Sequence, residues 1–203
     1  MLETLTNIIV HFIGTTGYGG VFILMTLESA LIPIPSEATM PFAGSLVHSG
    51  VFNFWLLVII GTLANLTGSL LAYALGYLGE EAVLTFIRKY GKLVLIREKE
   101  FHHAMGVFGR HGEWIVFASR VLPAIRTYIS LPAGIAKMNL KKFIVYTTAG
   151  SFIWSIVLTY LGLILGDNWH VLSQYFHILD FVVVGGILLL VLYFIYKRFR
   201  HRF

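Results

Sequence analysis

The sequence predicts an all-α integral membrane protein, in which two oppositely oriented re-entrant helical hairpins and about three spanning helices form an inverted repeat. Three observations lead to this fold class. Hydrophobic residues make up 57% of the 203 residues and charged residues only 12%, whereas a soluble domain carries roughly 25% charged residues. Long apolar segments alternate with apolar segments that prolines interrupt. The basic residues are concentrated in the loops between these segments.

Three segments are long and apolar enough to cross a bilayer, which takes about 20 helical residues. They cover approximately 54–78, 143–165 and 177–198, and the last is most apolar over 181–196. We therefore predict three spanning helices, the third of them C-terminal. A chain of this length is expected to form a single membrane domain, 1–203.

Two further apolar segments, 18–47 and 114–136, are broken near their middles by prolines. The first contains Pro33 and Pro35, and the second contains Pro123. Proline removes an amide donor and breaks a helix. Broken backbone at membrane depth is tolerated only where it is buried in protein or lines a wet cavity. We therefore interpret each segment as a helical hairpin that packs inside the protein.

The basic residues predict how these segments are oriented. Lysine and arginine are enriched in cytoplasmic loops, so the basic C-terminus and both flanks of segment 114–136 are assigned to the cytoplasm. That segment would then enter and leave by the same face, and segment 18–47 would enter from the opposite face. The residues concerned are Arg88, Lys89, Lys92, Arg97, Lys99, Arg110, Lys137, Lys141, Lys142, Lys197, Arg198, Arg200 and Arg202.

The order of a broken hairpin followed by a spanning helix occurs twice, at 17–79 and at 112–166. Gly44 of the first unit aligns with Gly134 of the second. Opposite entry sides make this pattern an inverted repeat, the architecture that places a transport site at the midplane. The amphipathic segment 80–111 between the two units is predicted to lie on the cytoplasmic surface.

Four charged side chains stand inside the two broken segments: Glu28 and Glu37 in the first, Arg120 and Arg126 in the second. Each would cost about 2.5–3.5 kcal/mol at the bilayer centre, so we expect the four to face a cavity or one another. One interpretation is that they form salt bridges that only hold the hairpins together. Because buried ion pairs are often no more stable than apolar replacements, we favour a functional cavity.

Arginine suits an anion site, since its guanidinium stays charged and binds phosphate or carboxylate as a planar fork. Desolvation favours the neutral form of a buried glutamate, whereas nearby arginines favour the charged form. Glu28 and Glu37 are therefore candidates either for proton coupling or for counter-ions. Asn65 is a candidate for lining the cavity or bridging two helices, and Thr127 for lining the cavity.

Other functional classes find little support in the sequence. The chain has no cysteine, which excludes disulfides, thiolate metal sites and a cysteine nucleophile. It has no Gly-x-Ser-x-Gly, His-Glu-x-x-His or phosphate-loop motif, so we predict neither an enzyme nor a cofactor or metal site. The net charge of +5 arises in the loops, which fits anionic lipid headgroups better than nucleic acid.

The charged residues stand in motifs that resemble the DedA family, also called the SNARE-associated or VTT-domain family. The motifs occupy 28–44, 68–79 and 117–134, and together the resemblance covers 17–166 in the order of the family. Some members carry an aspartate two residues after a Pro-Gly pair in the first motif. This chain has Pro35, Ser36 and Glu37 there, which points to a subgroup.

The resemblance implies lipid translocation by a multi-pass protein of the bacterial cytoplasmic membrane whose C-terminus is cytoplasmic. It implies inward movement of undecaprenyl phosphate or phospholipids, with dependence on the proton motive force. Of these lipids we favour undecaprenyl phosphate, returned to the inner leaflet for reuse in wall synthesis. Arg120 and Arg126 would bind the lipid phosphate, and Glu28 and Glu37 would be the acidic pair. The expected partners are membrane lipids and protons but not nucleic acid, and a homo-oligomer is compatible with the sequence.

Three alternatives remain open at this point. The first is a flippase or scramblase for phospholipids such as phosphatidylethanolamine. The second is a proton-coupled antiporter for small ions or drugs, which needs no opening toward lipid. The third is a membrane scaffold that transports nothing, in which the four charges only hold the hairpins together.

Overall fold

A computed structural model describes residues 2–169 of the chain, except 33, 35, 91–97 and 121–122. Within these residues the regular structure is helical and contains no strand, which confirms the predicted all-α class. Pro33, Pro35 and the predicted C-terminal spanning helix at 177–198 lie outside the described residues.

The described residues form eight α-helices and one short 3₁₀ turn. The helices are α1 (Leu2–Thr16), α2 (Tyr18–Ser29), α3 (Ser36–His48), α4 (Phe54–Tyr90), α5 (Glu98–Ser119), α6 (Pro123–Arg126), α7 (Ser130–Ile135) and α8 (Leu140–Leu165), and the turn is Gly166–Asn168.

Among the described residues, two helices are long and apolar enough to cross a membrane. The qualifying stretches are Phe54–Ala82 in α4 and Leu140–Asn168, which consists of α8 and the turn after it; both have a mean hydropathy of 1.8. They correspond to the first two predicted spanning helices. Asn139 is the N-cap of α8. Its side-chain oxygen accepts hydrogen bonds from the amides of Lys141 and Lys142 at 3.0 and 3.3 Å, which stabilises the start of the helix.

The helix α4 continues well beyond the predicted boundary at residue 78. No proline follows in the stretch to Tyr90, and the single glycine there weakens a helix only modestly. The amphipathic segment predicted at 80–111 is therefore divided between the end of α4 and the first half of α5.

Large apolar side chains cover the outward faces of α4 and α8. The exposed ones are Trp55, Leu56, Ile59, Leu63, Leu71 and Leu75 on α4, and Val145, Phe152, Ile153, Val157 and Ile164 on α8. Soluble monomers rarely expose apolar surface of this extent. Lipid acyl chains are the partner that such surfaces require.

The two proline-containing segments are interrupted, as the sequence predicts. α2 ends at Ser29, and Leu31 adopts a φ of 75°, a left-handed conformation that ends a helix. The second segment consists of the end of α5, the four-residue α6 and the six-residue α7. Pro123 begins α6, the first helical position, where a missing amide does no harm.

Each interrupted segment packs against the long helix of the other half of the chain. α3 lies against α8, and α7 lies against α4. A Cβ atom on Gly44 would stand 2.5 Å from the Thr159 carbonyl oxygen, and one on Gly134 would stand 2.8 Å from the Tyr77 amide nitrogen. Only glycine allows such close backbone contact. The two glycines thus permit reciprocal contacts between the halves.

Candidate functional site

The four charged residues predicted to carry function are buried and come from four different places in the chain. Glu28 of α2 is 5% exposed, Glu37 of α3 7%, Arg120 after α5 3%, and Arg126 at the end of α6 4%. Burial of four ionisable groups is costly unless they are paired or hydrogen-bonded. Their partners therefore decide what the site can do.

Arg126 is neutralised by both glutamates. Its Nη2 atom donates hydrogen bonds to Glu28 Oε1 and to Ser36 Oγ, and it lies 3.6 Å from Glu37 Oε1. The guanidinium carbon is also 5.4 Å from the centroid of the Trp154 ring, within the range of a cation–π contact. Arg126 thus joins α6 to α2, α3 and α8.

Arg120 is held in a different way, by neutral oxygens. Its Nη1 donates to Ser69 Oγ at 2.9 Å and to the Arg126 carbonyl oxygen at 3.2 Å. Its Nη2 donates to Ser130 Oγ at 2.9 Å and to Thr147 Oγ1 at 3.3 Å. We call Ser69, Ser130 and Thr147 the hydroxyl cradle. In the part of the chain that the structure describes, no carboxylate lies within 4.0 Å of Arg120, since the ion pairs found there involve other cations.

A glycine of α8 makes room for Arg120. A Cβ atom on Gly150 would stand 2.6 Å from Arg120 Cβ and 2.8 Å from its Cγ. The arginine stem therefore packs directly on the backbone of α8, next to Thr147 of the cradle. Any larger residue at position 150 would displace the guanidinium from its hydroxyl partners.

Comparison with known proteins identifies the family of this chain. A family model described as the VTT domain matches residues 29–164, a range that contains Glu37, both arginines and the hydroxyl cradle. The chain belongs to the VTT-domain (DedA) family. It is therefore a membrane protein.

Relatives of this VTT-domain protein match nearly the whole chain. Undecaprenyl phosphate transporter A of Staphylococcus aureus is 34% identical, covering 93% of this chain and 93% of that protein. Undecaprenyl phosphate transporter A of Bacillus subtilis is 30% identical, with 97% and 96% covered. An alkaline phosphatase-like protein of Lactococcus lactis is 35% identical, with 95% and 93% covered. No solved structure matches the chain.

The VTT-domain site contains hydroxyl groups that the sequence did not single out. Ser36 contacts Arg126, and the cradle contacts Arg120. One signal could have indicated Thr147, because Thr147, Gly150, Ser151 and Trp154 follow one helical face of α8, and all four are buried. Hydroxyls in apolar helices commonly bond to their own helix, so composition alone does not distinguish them.

The remaining candidates of the VTT-domain site fall in different places. Asn65 is buried on α4, and its Oδ1 accepts a hydrogen bond from Ser29 Oγ at 2.6 Å, so it bridges two helices. Thr127 is partly exposed in the turn after α6. Pro123 starts α6 one turn before Arg126, which places that arginine at the end of the short helix.

Two ion pairs lie beside a cleft near the start of α8. Lys137 contacts Glu80 and Lys142 contacts Glu113, each at 2.5 Å. The hydrogen bond to Glu80 raises the pKa of Lys137 above its usual value, and the hydrogen bond from Lys142 lowers the pKa of Glu113. The cleft has a volume of about 660 Å³ and is lined by Leu70, Tyr73, Ala74, Tyr77, Leu78, Lys137, Met138, Asn139 and Leu140.

Proposed function

We propose that this protein moves undecaprenyl phosphate from the outer to the inner leaflet of the bacterial cytoplasmic membrane. The observation that carries the proposal concerns Arg120, a buried guanidinium that has no carboxylate of the described residues within 4.0 Å. A buried cation favours an anion that can reach it. The names of the relatives from Staphylococcus aureus and Bacillus subtilis support a polyprenyl phosphate as that anion.

The proposed substrate fits the surroundings of the site. A lipid phosphate combines a charged headgroup with an apolar tail. The two arginines would receive the headgroup inside the protein, and the apolar outer faces of α4 and α8 would leave the tail in contact with lipid. A small hydrophilic ion has no tail that these apolar faces could accommodate.

The proposed architecture is an inverted repeat of two opposed re-entrant hairpins, with repeat units 17–79 and 112–166 and a cytoplasmic C-terminus. The contacts of α3 with α8 and of α7 with α4 support it. In an internal two-fold relation α3 would correspond to α7 and α8 to α4, so the two contacts would be equivalent. Such repeats place a substrate site between their two units. Glu28 and Glu37 belong to one unit, and Arg120 and Arg126 to the other.

We further propose that proton motive force drives the cycle through the glutamates. With all four groups ionised, the two carboxylates balance the two guanidiniums. A proton on Glu28 or Glu37 would weaken the ion pair of that glutamate with Arg126. The site would then carry a net positive charge, which favours binding of the phosphate. Release of that proton inside would restore the pair and expel the phosphate. Moving one uncompensated negative charge inward works against about 2.3 kcal/mol per 100 mV, which a co-transported proton cancels.

Transport into proteoliposomes tests the proposal. A labelled polyprenyl phosphate is placed in the outer leaflet, and its loss of accessibility to an added membrane-impermeant phosphatase is measured with and without a pH gradient. Phosphatidylethanolamine, followed by the accessibility of its amine to a membrane-impermeant amine reagent, serves as the second substrate, and protein-free liposomes serve as the control. We expect faster movement of the polyprenyl phosphate, accelerated by acidic pH outside.

Each other result assigns a different function. Equal movement of both lipids would mean a phospholipid scramblase. Movement of neither lipid would leave a scaffold or an antiporter. Release of inorganic phosphate by the reconstituted protein alone would indicate an enzyme, in line with the name of the Lactococcus lactis relative.

A further inference from the structure

We infer that the hydroxyl cradle forms the phosphate-binding shell together with Arg120, and that it selects phosphate monoesters over the phosphodiesters of ordinary phospholipids. This inference rests on the proposed function and divides the roles of the two arginines. Arg120 and the cradle receive the headgroup, whereas Arg126 stays with Glu28 and Glu37.

The difference in charge between the two arginines is the first reason. Arg126 has two carboxylates around it and Arg120 has only neutral oxygens among the described residues. Leaving a buried cation without a counter-ion is unfavourable. An incoming anion therefore gains more at Arg120 than at Arg126, where it would have to displace a glutamate.

The hydrogen atoms of the cradle are the second reason. A hydroxyl group can accept hydrogen bonds and donate one. Each cradle oxygen accepts from Arg120, and its own hydrogen finds no acceptor among the described residues. Some other buried hydroxyls, those of Thr62 and Ser119, donate to carbonyl oxygens of their own helices at 2.7 Å. The hydroxyls of Ser155 and Thr159 have no partner among the described residues, but they do not contact a cation. The cradle thus offers three unused donors next to a cation.

A fourth donor belongs to Arg120 itself. Its Nε atom is buried and, like that of Arg126, has no hydrogen-bond partner in the described part of the chain. All three cradle residues are fully buried, and they come from α4, α7 and α8. Hydroxyls fixed by three separate helices stay in place when the ligand enters, which reduces the entropy lost on binding.

The number of donors determines which phosphate fits. A phosphate monoester, such as a polyprenyl phosphate, presents three strong acceptor oxygens. The phosphodiester of a phospholipid has only two terminal oxygens, because the third is esterified. With three hydroxyl donors and Arg120 Nε available, the third terminal oxygen of a monoester gives these buried donors a better set of acceptors than a diester does, so we expect the monoester to bind more tightly.

Binding to the purified full-length protein in nanodiscs tests the inference. The probes are a short-tailed polyprenyl phosphate, a phosphodiester with the same tail and the corresponding alcohol. The test variants are Thr147→Val, which keeps the shape, Ser130→Ala, and Thr147→Ser, which keeps the hydroxyl. Thr159→Val is the matched control, because Thr159 is also fully buried on α8 and has no contact with Arg120.

We expect wild type to bind the monoester more tightly than the diester. Thr147→Val and Ser130→Ala should each weaken monoester binding about tenfold and diester binding by less. Thr147→Ser should keep most of the affinity, and Thr159→Val all of it. The midpoint of thermal unfolding, measured on each variant without ligand, separates lost binding from lost folding. If Thr147→Val does not fold, the loss of monoester binding in Ser130→Ala tests the inference instead.

Two outcomes overturn the inference while leaving the proposed function intact. One is unchanged monoester binding in the folded Thr147→Val and Ser130→Ala variants. The other is equal loss in Thr147→Ser and Thr147→Val, which would mean that shape matters and the hydroxyl does not. Failure of wild type to bind the monoester at all would instead contradict the proposed function.

Discussion

At the scale of single residues, the buried arginines of this protein have opposite kinds of partner. Arg126 bonds to charged groups and is locked between helices, whereas Arg120 bonds to hydroxyls. We therefore expect these two identical side chains, six positions apart, to have different roles. Stability should depend chiefly on Arg126 and ligand binding chiefly on Arg120.

The first prediction concerns the stability contributed by Arg126. Arg126→Ala leaves two buried carboxylates without their cation, so we expect it to lower the free energy of unfolding by about 3–5 kcal/mol. Adding Glu28→Gln removes one of the uncompensated charges and should recover part of that loss. Denaturant unfolding in detergent measures both variants. No recovery in the double variant would mean that Glu28 is neutral in the folded protein.

The second prediction concerns the proton. Glutamine has the shape of a protonated glutamate and cannot ionise, so Glu28→Gln or Glu37→Gln should make lipid movement insensitive to an imposed pH gradient. The measurement is translocation in proteoliposomes with and without that gradient, compared with wild type. If wild type itself ignores the gradient and both variants match it, the glutamates are counter-ions and the transport is passive.

The sequence indicated which charged residues are buried inside the protein better than it indicated their hydrogen-bond partners. Charges inside apolar segments are conspicuous because each is costly there, which is why Glu28, Glu37, Arg120 and Arg126 could be selected. A serine or threonine in the same segments has no such cost, since it can bond to its own helix. The roles of the hydroxyls depend on which helices meet, and that information lies outside any local pattern.

At the scale of helices, close contacts between the two halves depend on two glycines. Gly44 lets α3 approach α8, and Gly134 lets α7 approach α4. Hydropathy predicted α4 and α8, and prolines predicted the interruptions. The extension of α4 to Tyr90 was missed, because the charges after residue 79 suggested a separate surface helix.

The third prediction tests these contacts. Gly134→Ala places a Cβ atom 2.8 Å from the Tyr77 amide nitrogen, so we expect it to destabilise the protein by about 1–3 kcal/mol. Gly79→Ala is the control within α4, because no heavy atom lies within 4 Å of its added Cβ. That variant should be neutral or stabilising by about 0.5–1 kcal/mol. Thermal unfolding of the two variants side by side decides, and equal effects would contradict the close packing of α7 on α4.

At the scale of the whole molecule, the orientation of the protein in the membrane is predicted from the distribution of its basic residues. Both flanks of the second broken segment are assigned to the cytoplasm. His111 and Asn139 are exposed at these flanks, and the chain has no cysteine of its own. These two positions are therefore suited to chemical labelling.

The fourth prediction uses single cysteines at these positions. Both His111→Cys and Asn139→Cys should resist a membrane-impermeant thiol reagent in intact cells and react once the membrane is permeabilised. A cysteine at exposed Ser49, which lies between α3 and α4, is expected to react in intact cells. Labelling of only one of the first two would mean a full crossing between them and would rule out the re-entrant hairpin.

The reciprocal contacts of the hairpins also bear on how the two halves stay together. α3 with α8 and α4 with α7 join the first half to the second, and the long helices pack on each other as well. The covalent link at 91–97 is therefore not needed to hold the halves in association. Fragments 1–90 and 98–203, synthesised from separate genes in one cell, should purify as a complex, and each alone should be degraded. In physical terms the two halves of the chain would then associate as the two subunits of a heterodimer do.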